Sequence, residues 1–223
     1  MSAPAKPLAF TPAGGTERID RLLVREHRME LIVNGSRYAE FCCTRGELRE
    51  LAAGRLLGDG RLHDPDELLS LSLDGEERVC RAALAPRPRP VGPLAPAVWE
   101  PAWIFAAVAR FTEGTPLYRA TSSVHLAYLY REDRLIHTSE DLSRRCAMEK
   151  LLGYGLLNGV PMRACWIFIS CRINTDLVRK AAEAGIVLLA SKSSPTADAA
   201  ELASSLGLTL ICRAWPDRFE QYC

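Results

Sequence analysis

The last third of the chain constrains the fold most. Short apolar runs at residues 164–170, 186–190 and 208–212 alternate with two helical segments. Asn174 caps the first helix and Gly185 ends it. Pro195-Thr196 opens the second and Gly207 ends it. Strand–helix–strand–helix–strand with such short loops calls for a parallel sheet with right-handed crossovers, since tight hairpins join only antiparallel strands. No internal repeat accompanies the pattern.

Ligands of open parallel sheets bind beyond the carboxyl ends of the strands. Three loops should meet there: Ser170-Cys171-Arg172-Ile173-Asn174, Ser191-Lys192-Ser193-Ser194-Pro195-Thr196, and Arg213-Ala214-Trp215-Pro216-Asp217-Arg218. Two of them lead into helix N-termini, whose free N–H groups and dipole favour anions. Arg172, Lys192 and Arg213 add counter-charge, the hydroxyls add donors, and Trp215 offers a stacking face. This describes a phosphate or nucleotide pocket. Singly, each residue reads more readily as a helix cap or a solvated cation. At one sheet edge together, the two readings stand level.

Upstream, residues 1–18 read as a loose tail. Residues 30–33 and 36–42 read as strands around Asn34-Gly35, a strong hairpin signal. Thr44 and Glu47 form a capping box for a helix that places Leu48, Leu51, Ala52 and Leu56 on one face and stops near Gly58. A second hairpin, 68–73 with 78–84, turns at Asp74-Gly75. Residues 86–101 hold six of the 14 prolines, so they form an extended linker. Pro101 suits the first turn of a helix carrying Ile104, Phe105, Val108 and Phe111 on one face. A strand pair at 124–130 and 135–138 and a helix at 142–157 complete the series. The expected class is α/β, with a three-layer α/β domain at 102–223 and a smaller, hairpin-rich α+β domain at 19–85.

Composition narrows the function. Of 223 residues, 48% are hydrophobic and 25% charged, with Lys+Arg 28 against Asp+Glu 27. No global basic field exists to draw in nucleic acid or an anionic membrane. No apolar run approaches the roughly 20 residues of a membrane span, and the N-terminal segment lacks a signal-peptide core. A cytoplasmic location is expected. The eight cysteines (Cys42, Cys43, Cys80, Cys146, Cys165, Cys171, Cys212 and Cys223) contain no C-x-x-C pair, so neither a zinc site nor any other metal site is expected. Dinucleotide-binding, P-loop, zinc-protease and serine-hydrolase motifs are missing.

Several strings in order resemble the formate dehydrogenase accessory sulfurtransferases, the FdhD/NarQ family. Leu31-Ile32-Val33-Asn34-Gly35 is followed by Cys43-Thr44-Arg45-Gly46-Glu47-Leu48. Thr121-Ser122-Ser123-Val124-His125 is similar to T-G-G-x-H. Glu140-Asp141-Leu142-Ser143-Arg144-Arg145-Cys146-Ala147-Met148-Glu149-Lys150 is similar to E-D-x-G-R-H-N-A-x-D-K. Ser170-Cys171-Arg172 stands for S-G-R, and Ser191 to Thr196 for S-x-S-A-P-T. The resemblance covers about residues 30–222. It implies a fold similar to cytidine deaminases without their zinc, usually as a homodimer. It also implies that the chain passes sulfur from a cysteine desulfurase to the molybdenum or tungsten bis(molybdopterin guanine dinucleotide) cofactor of formate dehydrogenase. A GDP-like moiety would sit on Ser122, Ser123, His125, Glu140, Asp141, Arg144, Ser170, Arg172, Lys192, Ser193, Ser194 and Thr196. The C-terminal segment Ile211, Cys212, Arg213, Ala214, Trp215 and Pro216 would complete the site.

The departures concern the thiols. The family carries sulfur on a C-x-x-C loop between the second hairpin and T-G-G-x-H. Here that region is the proline-rich linker, and Cys80 is its nearest thiol. Two motif positions have become Cys146 and Cys171. Cys171, at a strand end beside Arg172 and a helix N-terminus, should have a lowered thiol pKa. Cys171, Cys146 and Cys80 are therefore the candidate sulfur carriers, against the alternative that all three pack as small buried residues. Two functions follow: an active sulfurtransferase, or a homologue that binds the cofactor or guanine nucleotide without transferring sulfur.

Overall fold

The computed structural model describes residues 2–86 and 92–223. Part of the proline-rich linker therefore lies outside the described residues, and residues 92–100 have no regular secondary structure.

The first half is built on a four-stranded sheet. β5 (His27–Val33) and β6 (Ser36–Cys43) form the expected hairpin, and β7 (Leu68–Leu73) with β8 (Val79–Leu84) forms the second. The order is β6-β5-β8-β7, with β5 and β8 parallel at the centre. Met29, Leu31 and Val33 alternate with more exposed neighbours, so one face of β5 is buried in the core cluster that also takes in α1 (Leu48–Gly58).

Ahead of this sheet, residues 2–24 are not a loose tail. β1 (Ser2–Ala5) pairs with β4 (Arg21–Val24), and β2 (Leu8–Phe10) pairs with β3 (Thr16–Arg18). Gly14, at φ 81, lies in the connecting turn. Interspersed Pro and Gly hid these strands. Their order comes from backbone ladders, with Phe10 left 75% exposed.

The second half is a six-stranded sheet. Its strands are β9 (His125–Arg131), β10 (Arg134–Asp141), β11 (Trp166–Ile169), β12 (Leu188–Ser191), β13 (Thr209–Cys212) and β14 (Glu220–Gln221). Their order across the sheet is β10-β9-β11-β12-β13-β14. β11, β12 and β13 are parallel, as the alternating pattern requires, while β9, β10 and β14 add antiparallel edges. One face packs on α2 (Pro101–Glu113), through Ile104, Val108 and Phe111 against Leu126, Phe168 and Ala190. The short α3 (Pro116–Thr121) adds Leu117 and Tyr118 to that cluster. The other face packs on α4 (Arg144–Leu157), α5 (Thr175–Glu183) and α6 (Ala197–Leu206), giving three layers.

The halves have separate sheets but share one hydrophobic cluster, running from Leu31 and Leu51 through Leu151 to Ile169 and Leu189. α1 and α4 meet almost backbone to backbone. A Cβ at Gly54 would sit 1.7 Å from the Glu149 carbonyl oxygen, and one at Gly153 would sit 1.8 Å from that of Glu50.

A polar seam runs beside this contact. Lys150 Nζ lies 2.8 Å from Asp141 Oδ2 and donates to Thr44 Oγ1 at 2.8 Å. Both ends of the Lys150–Asp141 pair are essentially buried, at 1% and 0%. Lys180 Nζ contacts Asp59 at 2.9 Å and Glu149 at 3.1 Å, with Arg55 joining the same two carboxylates.

The expected Thr44–Glu47 capping box is absent. Glu47 sits at φ 50 before α1 and makes no side-chain cap. Thr44 donates to Asp141 Oδ2 through its N–H at 2.9 Å and through Oγ1 at 3.0 Å. Glu47 instead contacts His137 Nε2 at 2.5 Å and accepts from Ser139 Oγ at 3.3 Å. A tertiary carboxylate outcompeted the local cap.

Candidate cofactor-binding site

β11, β12 and β13 end side by side, and backbone bonds hold their loops together. Ser191 Oγ donates to the Cys171 carbonyl at 2.7 Å, and Thr196 N–H to the Ile173 carbonyl at 2.9 Å. Arg213 N–H donates to Ser193 and Ala214 N–H to Ser191, at 3.0 and 3.1 Å. The three loops read from the sequence therefore meet at one edge.

Between them and the α2–α3 corner lies a depression of ≈ 290 Å³ lined by Phe111, Tyr118, Ser170, Lys192, Ser193 and Trp215. The Lys192 ammonium is 5.0 Å from the Phe111 ring centroid and 5.1 Å from that of Trp215, held by two aromatic faces. Trp215 is 41% exposed, so its ring remains available for stacking. Ser170 Oγ accepts from the Leu126 N–H at 3.0 Å and lies 3.4 Å from His125 Nδ1. Burial, and then the charge of Arg144, hold the His125 pKa below its usual value, so the imidazole stays neutral near pH 7.

Charge at this edge is unevenly committed. Arg213 pairs with Glu220 at 3.2 Å. Arg144, Arg172 and Lys192 have no carboxylate partner among the described residues. The helix N-termini contribute less than the sequence promised. Asn174 Oδ1 accepts from Leu177 N–H and Thr196 Oγ1 from Ala199 N–H, both at 3.2 Å. Asp176 and Asp198 already oppose the dipoles. The capacity to hold an anion thus rests mainly on the three cations.

Other expected contacts fall elsewhere. Asp141 is fully buried: Oδ1 accepts from Ser143 N–H at 2.8 Å, and Oδ2 serves Thr44 and Lys150. It is a structural node. Glu140 accepts from Thr115 Oγ1. Ile211, Cys212 and Ala214 are 0% exposed, and the first two belong to opposite core faces. Ser122 ends α3 at φ 51, and Ser123 Oγ donates to the Thr121 carbonyl at 2.8 Å. Both serines, Ser194 and Pro216 are exposed on the loops.

The thiols correct the expectation of a reactive cysteine. Cys171 is 6% exposed, and burial pushes its thiol up to about 11 despite the opposing charge of Arg144. Burial pushes Cys146 up to about 12 and Cys80 to about 11. All three are protonated at neutral pH, because desolvation outweighs the local positive charge that the strand-end position supplies.

The sequence pattern does not mark Phe111 and Tyr118 as lining residues. Phe111 reads as core, although its place in the last turn of α2 is the available signal. Lys150 stands out in the sequence only as part of a motif. A lysine among Met148, Leu151 and Leu152 on a buried helix face signals a committed charge.

The family model described as the FdhD/NarQ family matches residues 85–223. The chain belongs to the FdhD/NarQ family. A Sulfur carrier protein FdhD of Methanothermobacter thermautotrophicus is 28% identical over 234 residues, covering 96% of this chain and 94% of the relative. The Bacillus subtilis protein of that name is 26% identical over 227 residues, covering 89% and 87%. The crystal structure of a formate dehydrogenase accessory protein from Desulfotalea psychrophila superposes with a TM-score of 0.88 at 25% identity, covering 99% of this chain and 96% of that one. That superposition extends through both sheets and the N-terminal strands. No helix among the described residues is long and apolar enough to cross a membrane, and these residues contain no cluster of potential metal ligands.

Proposed function

We propose that the chain is an accessory protein of formate dehydrogenase that holds the guanine-nucleotide end of a molybdenum or tungsten bis(molybdopterin guanine dinucleotide) cofactor at the sheet edge. The observation that carries this reading is Lys192 clamped between Phe111 and Trp215. An ammonium held there is preorganised for a phosphate, and the exposed Trp215 ring adds a face for a base. Arg144 and Arg172 supply further charge for the diphosphate. The depression, at ≈ 290 Å³, lies at the lower end of the range for small-molecule sites, which suits one end of so large a cofactor. The cofactor is cargo, received and released by a chain expected to work as a cytoplasmic homodimer.

The binding role fits the thiols better than a persulfide role does. Attack on a desulfurase persulfide requires a thiolate, and Cys80, Cys146 and Cys171 are buried and protonated. The names of the relatives favour a second reading, in which sulfur from a cysteine desulfurase passes over one of these thiols when a partner opens the site.

Calorimetric titration with GDP, paired with complementation of a strain lacking its own family protein, tests both readings. Saturable GDP binding, weakened in Lys192→Ala, supports the binding role. No binding by the wild-type chain overturns it. Restored formate dehydrogenase activity that vanishes in Cys171→Ser, with GDP binding intact, selects the sulfur-carrying reading instead.

A further inference from the structure

At the opposite edge of the central sheet, beside the amino ends of β11 and β12, lies a second cavity of ≈ 470 Å³. Helices α1, α4 and α5 all finish at it: Leu57, Leu156 and Glu183 line it from their last turns. Each helix C-terminus carries roughly half a negative charge. The last turn of α4 has no basic residue to offset it. The basic residues of the other two, Arg55 and Lys180, are committed to Asp59 and Glu149.

His63 stands in the wall, its side chain 14% exposed. Its Nε2 lies 3.0 Å from Glu183 Oε2, while Nδ1 is buried without a hydrogen-bond partner. The Nε2–H donates to that carboxylate, which fixes the ring beside Glu183. Asp64, which accepts from the Asp66 N–H, adds a second carboxylate to the lining. The cation at the rim, Arg163, is turned onto the backbone, donating to the Pro93 and Gly92 carbonyls at 3.0 and 2.9 Å. Leu57, Leu156, Val160 and Met162 form an apolar wall.

We propose that this cavity binds an alkyl ammonium or guanidinium group carried on an aliphatic stem. The head group pairs with Glu183 beside the His63 ring, and the stem lies along the apolar wall. A cation on the ligand offsets the three dipole ends and the Glu183 and Asp64 carboxylates, which an anion would meet unfavourably. A free diamine and the lysine or arginine side chain of a partner share this chemistry. The site is independent of the sheet-edge reading.

The test is an NMR titration of the full chain, following the His63 imidazole and the Met162 methyl group. The probes are 1,5-diaminopentane, the blocked lysine and arginine derivatives (acetylated, as methylamides), and blocked norleucine as the uncharged control. Saturable movement of both reporters with the cationic probes but not with norleucine is expected. Tighter binding of the diamine points to a free amine, and tighter binding of the blocked amino acids points to a partner's side chain. Glu183→Gln should weaken binding about tenfold or more, the loss expected of one charge-assisted hydrogen bond. Norleucine moving the reporters as well as lysine does, or no movement with any cation at tens of millimolar, overturns the proposal. Should Glu183→Gln fail to fold, the norleucine comparison on the wild-type chain still decides.

Discussion

The polar seam between the halves and the open edge of the central sheet are both rich in charge, yet they differ in what is committed. In the seam, Lys150 meets Asp141 and Thr44, and Lys180 meets Asp59 and Glu149, with the two lysines and Asp141 and Glu149 almost wholly buried. At the edge, Arg144, Arg172 and Lys192 have no carboxylate partner among the described residues. Buried charges must be paired to be tolerated, so the seam has no capacity left for a ligand. Partly exposed cations cost little when unpaired, so the edge keeps its capacity. The motif Glu140 to Lys150 spans both, with Asp141 and Lys150 in the seam and Arg144 at the edge.

The contrast can be broken by experiment. Gly54→Val should do the most damage: its side chain would collide with the α4 backbone, which cannot yield without separating the helices. We expect a loss of more than about 3 kcal/mol, with little folded protein recovered. A variant that melts like wild type would show that the close contact does not hold the halves together.

Lys150→Met should cost about 3–5 kcal/mol in denaturant unfolding, because it strands the Asp141 carboxylate. Adding Asp141→Asn should recover part of that loss. Failure to recover any would mean that Lys150 acts through packing alone.

At the edge, Lys192→Ala combined with Trp215→Ala should leave unfolding within about 1 kcal/mol of wild type. GDP affinity should nevertheless fall about tenfold or more, through loss of the charge and the stacking face. A large stability loss would move Lys192 into the structural class.

Arg144→Ala should have the smallest effect on stability while raising the His125 pKa, since its charge is the second cause, after burial, of the lowered value. An imidazole titration by NMR reads this directly. A His held neutral in the fold contributes stability above its unfolded value, near 6.5, and loses it as pH falls below that value toward the folded pKa. Arg144→Ala should therefore soften the acid-side loss. An unchanged His125 titration would place Arg144 too far away to matter.

Local signals were legible where one element decides them. Asn174 and Thr196 cap α5 and α6, Pro101 opens α2, Gly207 ends α6, and Asn34-Gly35 turns the first hairpin. Thr44 misled because its hydroxyl had two possible partners. The local one was visible in sequence, whereas Asp141 lies 97 residues away. Cys171 misled in a related way. Its strand-end position and neighbouring charge were readable, but the depth of burial that governs its pKa was not.

By itself, the sequence determined the parallel β11–β12–β13 core, the convergence of three loops at its carboxyl edge, and the missing C-x-x-C. These follow from local periodicity, chirality and composition. The tertiary structure decided which charges are spent and which thiols are sealed. Those outcomes depend on burial and on partners far along the chain, and neither is encoded in short-range pattern.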